Sequence, residues 1–301
     1  QLAAAKLIGE PDAAAEGSGS AALEHMSYTS NRAATSVVPS RSSNASRIAV
    51  VSSCHVNYGV GGDWKEICRI ARENFADYCR RHGYRLFFFE QPFPEIGSRP
   101  ITWEKFVALR RVMQTPDIDT VFWMDADSLF MTPSKPLDSV LPRPGKVGSL
   151  VGDFNCFLNN GHFALRNCNT SVEFLDEAWN VYPAPAPWEE QASMTFILGG
   201  SRPYCRDAVN RADCCERATF FHSQYASAFD LLSADTMNSY IQDFKMGDLV
   251  LHFAGKSPHD KALMMASYAK LARRPAALLA FSEVMRRLPA TTDPALRGQR
   301  P

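Results

Sequence analysis

The chain has 301 residues, 46% of them hydrophobic and 21% charged, with 32 Lys and Arg against 32 Asp and Glu. That length suits one large α/β domain or two small ones, and it buries enough core that folding needs no disulfide or metal. A formal net charge of +0 leaves no electrostatic footprint for nucleic acid, and the composition excludes collagen-like, coiled-coil and wholly disordered chains.

Residues 1–47 are rich in Ala, Ser, Gly and Asn. The stretch from Ala13 to Ser20 has too little apolar surface to offset its ordering entropy, so a disordered stem or linker is expected there. The sequence opens on Gln1, which leads us to expect the native amino terminus to be missing. No apolar run of about 18 residues occurs, so a membrane anchor is expected only outside this sequence. The apolar run from Ile48 to Ser53 reads as the buried strand that opens an α/β domain. Trp64, Ile67, Cys68, Ala71, Phe75, Tyr78 and Cys79 recur at helical spacing through Arg81, and Gly83 stands at the expected stop. Tyr84–Phe89 reads as a second strand, Trp103 to Met113 as a helix ended by Pro116, and Thr120–Met124 as a third strand. Strands alternating with helices argue for a mostly parallel sheet covered on both faces. Ligands on such sheets bind beyond the carboxyl ends of the strands.

The second half is less regular. Gly148–Val151 and Phe163–Leu165 suggest short strands. Thr170 to Glu173 has the pattern of a capping box opening a helix through Tyr182. A Pro-rich turn at Pro183, Pro185 and Pro187 leads to a helix near Trp188–Leu198. Asp248–Phe253 reads as a late strand, residues 260–287 as helical, and 289–301 as a polar tail. Among eight cysteines, Cys205, Cys214 and Cys215 resemble a disulfide-tied loop; free buried thiols are the other reading. No CxxC pair supports zinc. Sequons at Asn44 and Asn169 suit a secretory compartment.

The strongest signal follows the third strand. Asp125 and Asp127, two apart at the rim of a buried strand, can approach one hard divalent ion, which prefers carboxylate and phosphate oxygen. The bland alternative is a solvated turn. A haloacid-dehalogenase-like phosphatase would also place Asp-x-Asp after a strand, with Asp125 as nucleophile. There the motif follows the first strand, whereas two strands and two helices precede it here. A glycosidase needs two carboxyls roughly 5–9.5 Å apart across the bond, which these neighbours do not suit.

Four motifs in order carry a resemblance: Trp123-Met124-Asp125-Ala126-Asp127; Asp153-Phe154-Asn155 with Asn159-Asn160-Gly161-His162; Trp188-Glu189-Glu190-Gln191; and His252-Phe253-Ala254-Gly255-Lys256. Together they resemble the metal-dependent glycosyltransferases of GT-A fold. Closest is the galactosyl/mannosyl/xylosyltransferase family holding fungal Golgi mannosyltransferases and plant xyloglucan xylosyltransferases. The likeness spans roughly residues 48–256. It implies a GT-A, Rossmann-like catalytic domain over 48–288, in the α/β class.

The resemblance also implies that Asp125, Asp127 and His252 hold Mn²⁺ or another divalent cation. The donor would be a UDP- or GDP-sugar and the acceptor a glycan or glycoprotein. Ser52, Lys105, Asp125, Ala126, Asp127, Asn155, Asn160, Gly255 and Lys256 are expected at the donor, with His55 a weaker nucleotide candidate. Gln191, Glu190 and Asp153 are expected near the reacting sugar. Lys256 stands where the family often has Cys, which leaves its role open. Retention of anomeric configuration is implied, with Gln191 or Glu190 steadying an oxocarbenium-like centre. The implied location is the Golgi or secretory lumen, as a type II membrane protein whose anchor lies outside this sequence. A non-catalytic glycan- or nucleotide-binding module on the same fold is the alternative from another class; turnover separates the two.

Overall fold

The computed structural model describes residues 35–37, 47–57, 62–153, 158–184, 188–198 and 225–273. Most of the expected stem, Asn155, the Cys205 to Cys215 loop and the polar tail lie outside the described residues, as does the helix expected beyond residue 273. Thr35–Val37, expected as part of the disordered stem, is instead a strand paired antiparallel with Leu86–Phe88. Ten strands occur among the described residues: β1 (Thr35–Val37), β2 (Ile48–Ser53), β3 (Arg85–Phe89), β4 (Thr120–Met124), β5 (Ser128–Phe130), β6 (Gly148–Gly152), β7 (Leu158–Arg166), β8 (Phe229–Leu232), β9 (Ser239–Tyr240) and β10 (Val250–His252).

Seven of these strands form one sheet in the order β1-β3-β2-β4-β7-β6-β8. β2, β3, β4, β6 and β8 run one way, and β1 and β7 run the other. The sheet is therefore mostly parallel, as the alternating pattern predicts.

Side chains alternate between its two faces with the period of two that a strand imposes. Val50, Leu86, Phe88, Phe122 and Met124 join one core. Ala49, Val51, Phe87, Phe89, Val121 and Trp123 join the other. Helix α1 (Asp63–His82) and the late helix Pro258–Ala272 cover the first face. Helices α2 (Glu104–Met113), α3 (Asn169–Asn180) and α4 (Glu189–Ile197) cover the second. Each large side chain fully buried this way contributes about 1.5–3 kcal/mol.

Helix α1 shows why its sequence stops where it does. Asp63 and Glu66 lie in its first turn, Arg80, Arg81 and His82 in its last, each matching the sign of the helix dipole there. Gly83 then takes φ 74°, the left-handed conformation that a side chain would resist. A disulfide joins Cys54, just past β2, to Cys68 on α1, and so pins that strand end to the helix. Cys68 reads in sequence as one more member of an apolar stripe; nothing in the spacing marks it as bridged. Burial pushes the Cys79 thiol up and keeps it protonated.

The capping box is a correction. Helix α3 begins at Asn169 behind an extended Cys168, and no side chain caps it. The entry is set instead by Asn167, whose amide donates to the Met113 and Ile118 carbonyls at 2.7 and 2.8 Å and ties the chain to the α2–β4 turn. The expected Asp248–Phe253 strand shortens to β10, which pairs antiparallel with β5 and parallel with β9. This small second sheet is absent from the sequence reading, and it positions the site. A short helix, α5 (Ala234–Met237), leads into β9, and the late helix is α6 (Pro258–Ala272). No helix among the described residues is long and apolar enough to cross a membrane.

Candidate active site

The turn from Asp125 to Asp127 is strung between the two sheets. Asp125 N–H donates to the Gly161 carbonyl at 2.9 Å, extending the β4–β7 pairing by one step. Two residues on, the Asp127 carbonyl accepts from Phe253 N–H at 2.9 Å, opening the β5–β10 pairing. Ala126 between them turns its methyl into the α1-side core, so its side chain is turned away from any ligand at the rim. Each aspartate is thus fixed by a different sheet, and β10 delivers His252 to the gap.

Ligand atoms of Asp125, Asp127 and His252 all lie within 4.8 Å of one another. His252 Nε2 is 3.3 Å from Asp127 Oδ1. Two carboxylates and an imidazole are a donor set that suits a divalent first-row ion. Gly161 makes the space: a Cβ there would fall 2.7 Å from His252 Cε1 and 3.2 Å from Asp125 Oδ2. The residues present therefore fit a cation. Trp123 Nε1 donates to Asp125 Oδ1 at 2.6 Å. Lys261, on α6, donates to Asp127 Oδ2 at 2.7 Å. Burial alone would raise the Asp127 carboxyl, but His252 and Lys261 hold it well below the usual carboxylate range.

A second charged cluster lies beside the first. Lys105, 2% exposed, places Nζ 2.9 Å from the Asn160 carbonyl, 2.8 Å from Glu190 Oε1 and 3.5 Å from Asp125 Oδ1. Asn160 Nδ2 donates to Glu190 Oε1 at 3.1 Å, and Asn160 N–H to Gln191 Oε1 at 3.2 Å. The expected residues Lys105, Asp125, Asn160, Glu190 and Gln191 are thus brought together. Lys105, expected to reach toward the donor, instead has its ammonium held by acceptors of this chain, as burial of a charge demands. Burial would lower it, but Asp125 and Glu190 outweigh that and keep it firmly protonated. Glu190, which burial would raise, is held low by Lys105.

The remaining expected residues divide. Asp153 Oδ1 accepts from Tyr240 OH at 3.0 Å, and Tyr240 in turn accepts from Asn159 Nδ2 at 2.7 Å. The Tyr240 ring stacks on His252, so Asp153 joins the site through Tyr240. Ser52 lies at the end of β2, fully buried, its hydroxyl without a hydrogen-bond partner among the described residues. His55 pairs with buried Glu104, whose other oxygen accepts from Phe93 N–H at 2.8 Å. Gly255, with φ 72° and open space within 4 Å of where a Cβ would stand, and exposed Lys256 form the open turn before α6. Lys261, Asn238, Tyr240 and Glu104 are site residues that sequence reasoning missed. Each depends on a contact across a long separation, 134 residues for Lys261 and Asp127, that no local pattern announces.

Comparison with known proteins bears on the family and the fold. Residues 44–152, which include the Asp125–Asp127 turn, match the galactosyl transferase GMA12/MNN10 family. The probable xyloglucan 6-xylosyltransferase 1 of Oryza sativa subsp. indica is 28% identical over 222 residues, covering 63% of this chain and 47% of that protein. An uncharacterized alpha-1,2-galactosyltransferase of Schizosaccharomyces pombe is 32% identical over 224 residues, covering 61% of this chain and 54% of that protein. The chain spans about half the length of the curated relatives it matches. A crystal structure of a glycosyltransferase involved in the glycosylation of the major capsid of PBCV-1 superposes with a TM-score of 0.52 at 15% identity. It covers 73% of this chain and 98% of that one. The fold is that of the GT-A glycosyltransferases, and the family likeness is found again over residues 44–152, which hold the first of the four motifs.

Proposed function

We propose that this chain is a cation-dependent glycosyltransferase, moving a hexose or pentose from a nucleoside-diphosphate sugar to a glycan hydroxyl with retention of configuration. The observation that carries the reading is the convergence of Asp125, Asp127 and His252 at the strand rim. Asp125, Asp127 and His252 would hold a divalent cation, Mn²⁺ in the first instance, which when bound supplies Lewis-acid stabilisation to the departing diphosphate. Around it the chain's own residues do the rest.

Lys105 keeps Glu190 ionised and in place, and Asn160 anchors both Glu190 and Gln191 from one backbone position. This presents a fixed negative carboxylate and a neutral amide toward the sugar, a preorganised field for positive charge developing at the anomeric carbon. Glu190 Oε1 is already shared by Lys105 and Asn160, which suits electrostatic support better than covalent attack. Tyr240 holds Asp153 for the sugar hydroxyls. Ser52 is assigned to the nucleotide, Asn155 to the sugar hydroxyls, and Gly255 and Lys256 to the diphosphate. The catalytic unit is taken as 48–288 together with the edge strand Thr35–Val37, followed by a tail over 289–301. The Cys54–Cys68 bridge supports a secretory-lumen location, with any anchor outside this sequence.

The phosphatase reading is not favoured: Asp125 Oδ1 is engaged by Trp123, and its carboxylate shares a cation pocket with Asp127 and His252. The test is a panel of UDP- and GDP-sugars with Mn²⁺, scored by nucleotide release, with product anomers read by NMR. Asp125→Ala and Asp127→Ala should each lower turnover of the best donor by about 10²–10³-fold. Variants that match the parent would overturn the site. Donor binding without any turnover would favour the binding-module alternative.

A further inference from the structure

The geometry points to Asn238 as the positioning residue that decides which nitrogen of His252 carries the proton and which faces the cation. The inference rests on the cation reading above. Asn238 is fully buried at the end of α5, and its N–H closes that helix on the Ala234 carbonyl at 2.8 Å. Its side-chain Oδ1 lies 2.8 Å from His252 Nδ1 and 2.8 Å from His162 Nδ1. An amide oxygen only accepts, so each ring must present an N–H at Nδ1. The opposite nitrogens are then defined. His162 Nε2 lies 2.9 Å from Ser128 Oγ and accepts its hydroxyl. His252 Nε2 is left as the atom facing Asp125 and Asp127, and it can hold a cation while Nδ1–H stays in place. A metal-bound histidine commonly has its other nitrogen fixed in this way by an outer partner.

One amide governs both rings. Turned about, Asn238 would offer its two N–H groups to the two Nδ1 atoms, and both histidines would then carry hydrogen at Nε2. His252 would point an N–H at Asp127 Oδ1, 3.3 Å away, and would have no lone pair for a cation. The rings cannot turn to compensate. They meet edge to face at 4.9 Å and 90°, while the Tyr240 ring stacks on the other side of His252 at 5.6 Å. Strand pairing adds a further constraint, because His252 and Ser128 are register partners across β10 and β5. Asn238 therefore converts a question of proton position into a question of amide orientation.

The test uses the whole chain with ¹⁵N-labelled histidine. Two-bond ¹H–¹⁵N spectra with saturating Mg²⁺, a diamagnetic probe, should show His162 and His252 both protonated at Nδ1. A proton on His252 Nε2 in that state overturns the inference. Mn²⁺ affinity, read from the free aqua-ion signal by electron paramagnetic resonance, should fall about 10–100-fold in Asn238→Leu and stay within about threefold in Asn238→Asp, which keeps an acceptor oxygen. Equal losses in both variants would mean a packing role and overturn it. If Asn238→Leu does not fold, the spectra of the parent and the affinity of Asn238→Asp decide. Parent binding that Asn238→Leu leaves unchanged overturns this inference alone. A parent that binds no Mn²⁺ overturns the cation reading, while the Nδ1 protonation of the parent still reports on Asn238 without metal.

Discussion

Around Lys105, an ammonium is enclosed by a carbonyl and two carboxylates of its own chain; around Asp127, carboxylates and an imidazole are arranged with a gap between them. The two clusters share Asp125 and differ in what completes them. The Lys105 cluster is closed: its charge is matched inside the protein, and it sits on α2, α4 and β7. The Asp127 cluster is open: it hangs on the turn between the two sheets, with Lys261 on one side. Asp125, Asp127 and Glu190 set against Lys105 and Lys261 leave one net negative charge at the rim. On the proposed function, a divalent ion would turn that to one positive charge, which suits a diphosphate. A permanently closed cluster beside an open one gives a rigid floor and a single place for exchange.

The largest effect should come from opening the closed cluster. Lys105→Met leaves Glu190 and part of Asp125 buried without a counter-charge, and the loss should be about 3–5 kcal/mol in urea unfolding. Adding Glu190→Gln to it should recover much of that loss. A cost no greater than that of an exposed pair such as Arg69 with Glu66 would break the distinction between the clusters.

Lys261→Met probes the open cluster and should move two quantities in opposite directions. Without metal, Asp127 loses a charged hydrogen bond, and stability should fall by about 1.5–3 kcal/mol. With Mn²⁺, a competing positive charge is gone, so affinity should rise. Thermal unfolding with and without Mn²⁺ reads both. If affinity falls instead, Lys261 belongs with the closed cluster.

The two aspartates of the open cluster were the strongest signal in the sequence, whereas the closed cluster was legible only through the family resemblance. Lys105, Asn160, Glu190 and Gln191 were expected from the resemblance alone, while the sheet and helices around them follow hydrophobic periods. Strand β4 appears as read, because Thr120–Met124 is one continuous, fully buried run. Asp125 and Asp127 were legible as a pair, yet what fixes them was not. β5, β9 and β10 are three residues or fewer, too short to show a period, and the Asn238 and Lys261 contacts join segments far apart in the chain. Ser128 and His162 carry no local sign that they will meet across the two sheets. The Cys54–Cys68 bridge was hidden by the helical stripe that Cys68 completes.

Gly161→Ala sharpens the comparison from the backbone. Its Cβ would press on His252 Cε1, Asn159 Oδ1 and Asp125 Oδ2, at 2.7, 2.9 and 3.2 Å. Overpacking of this kind costs about 1–3 kcal/mol, and His252 is the neighbour that must move. Mn²⁺ affinity should therefore fall more than stability does, as calorimetric titration would show. An intact affinity would mean the gap has more room than the distances allow.

The smallest effect is one of acidity. Burial would raise the Glu190 carboxyl, but the Lys105 ammonium and its hydrogen bond hold it below the usual 4.5. The unfolded chain therefore binds a proton at Glu190 before the folded chain does. Its contribution is fully present above pH 4.5 and is lost as pH falls through the lower folded value. Glu190→Gln cannot titrate, so its stability should decline less steeply with acid than the parent's below that pH. Asp127, also held low, keeps its own acid limb in both proteins, and the parent-minus-variant curve isolates Glu190. Lys105 stays charged throughout this range, and Asp125, whose carboxyl burial raises, titrates in parent and variant alike. Superimposable acid limbs would mean that Lys105 does not hold Glu190 ionised, and the closed cluster would lose the charge balance that sets it apart from the open one.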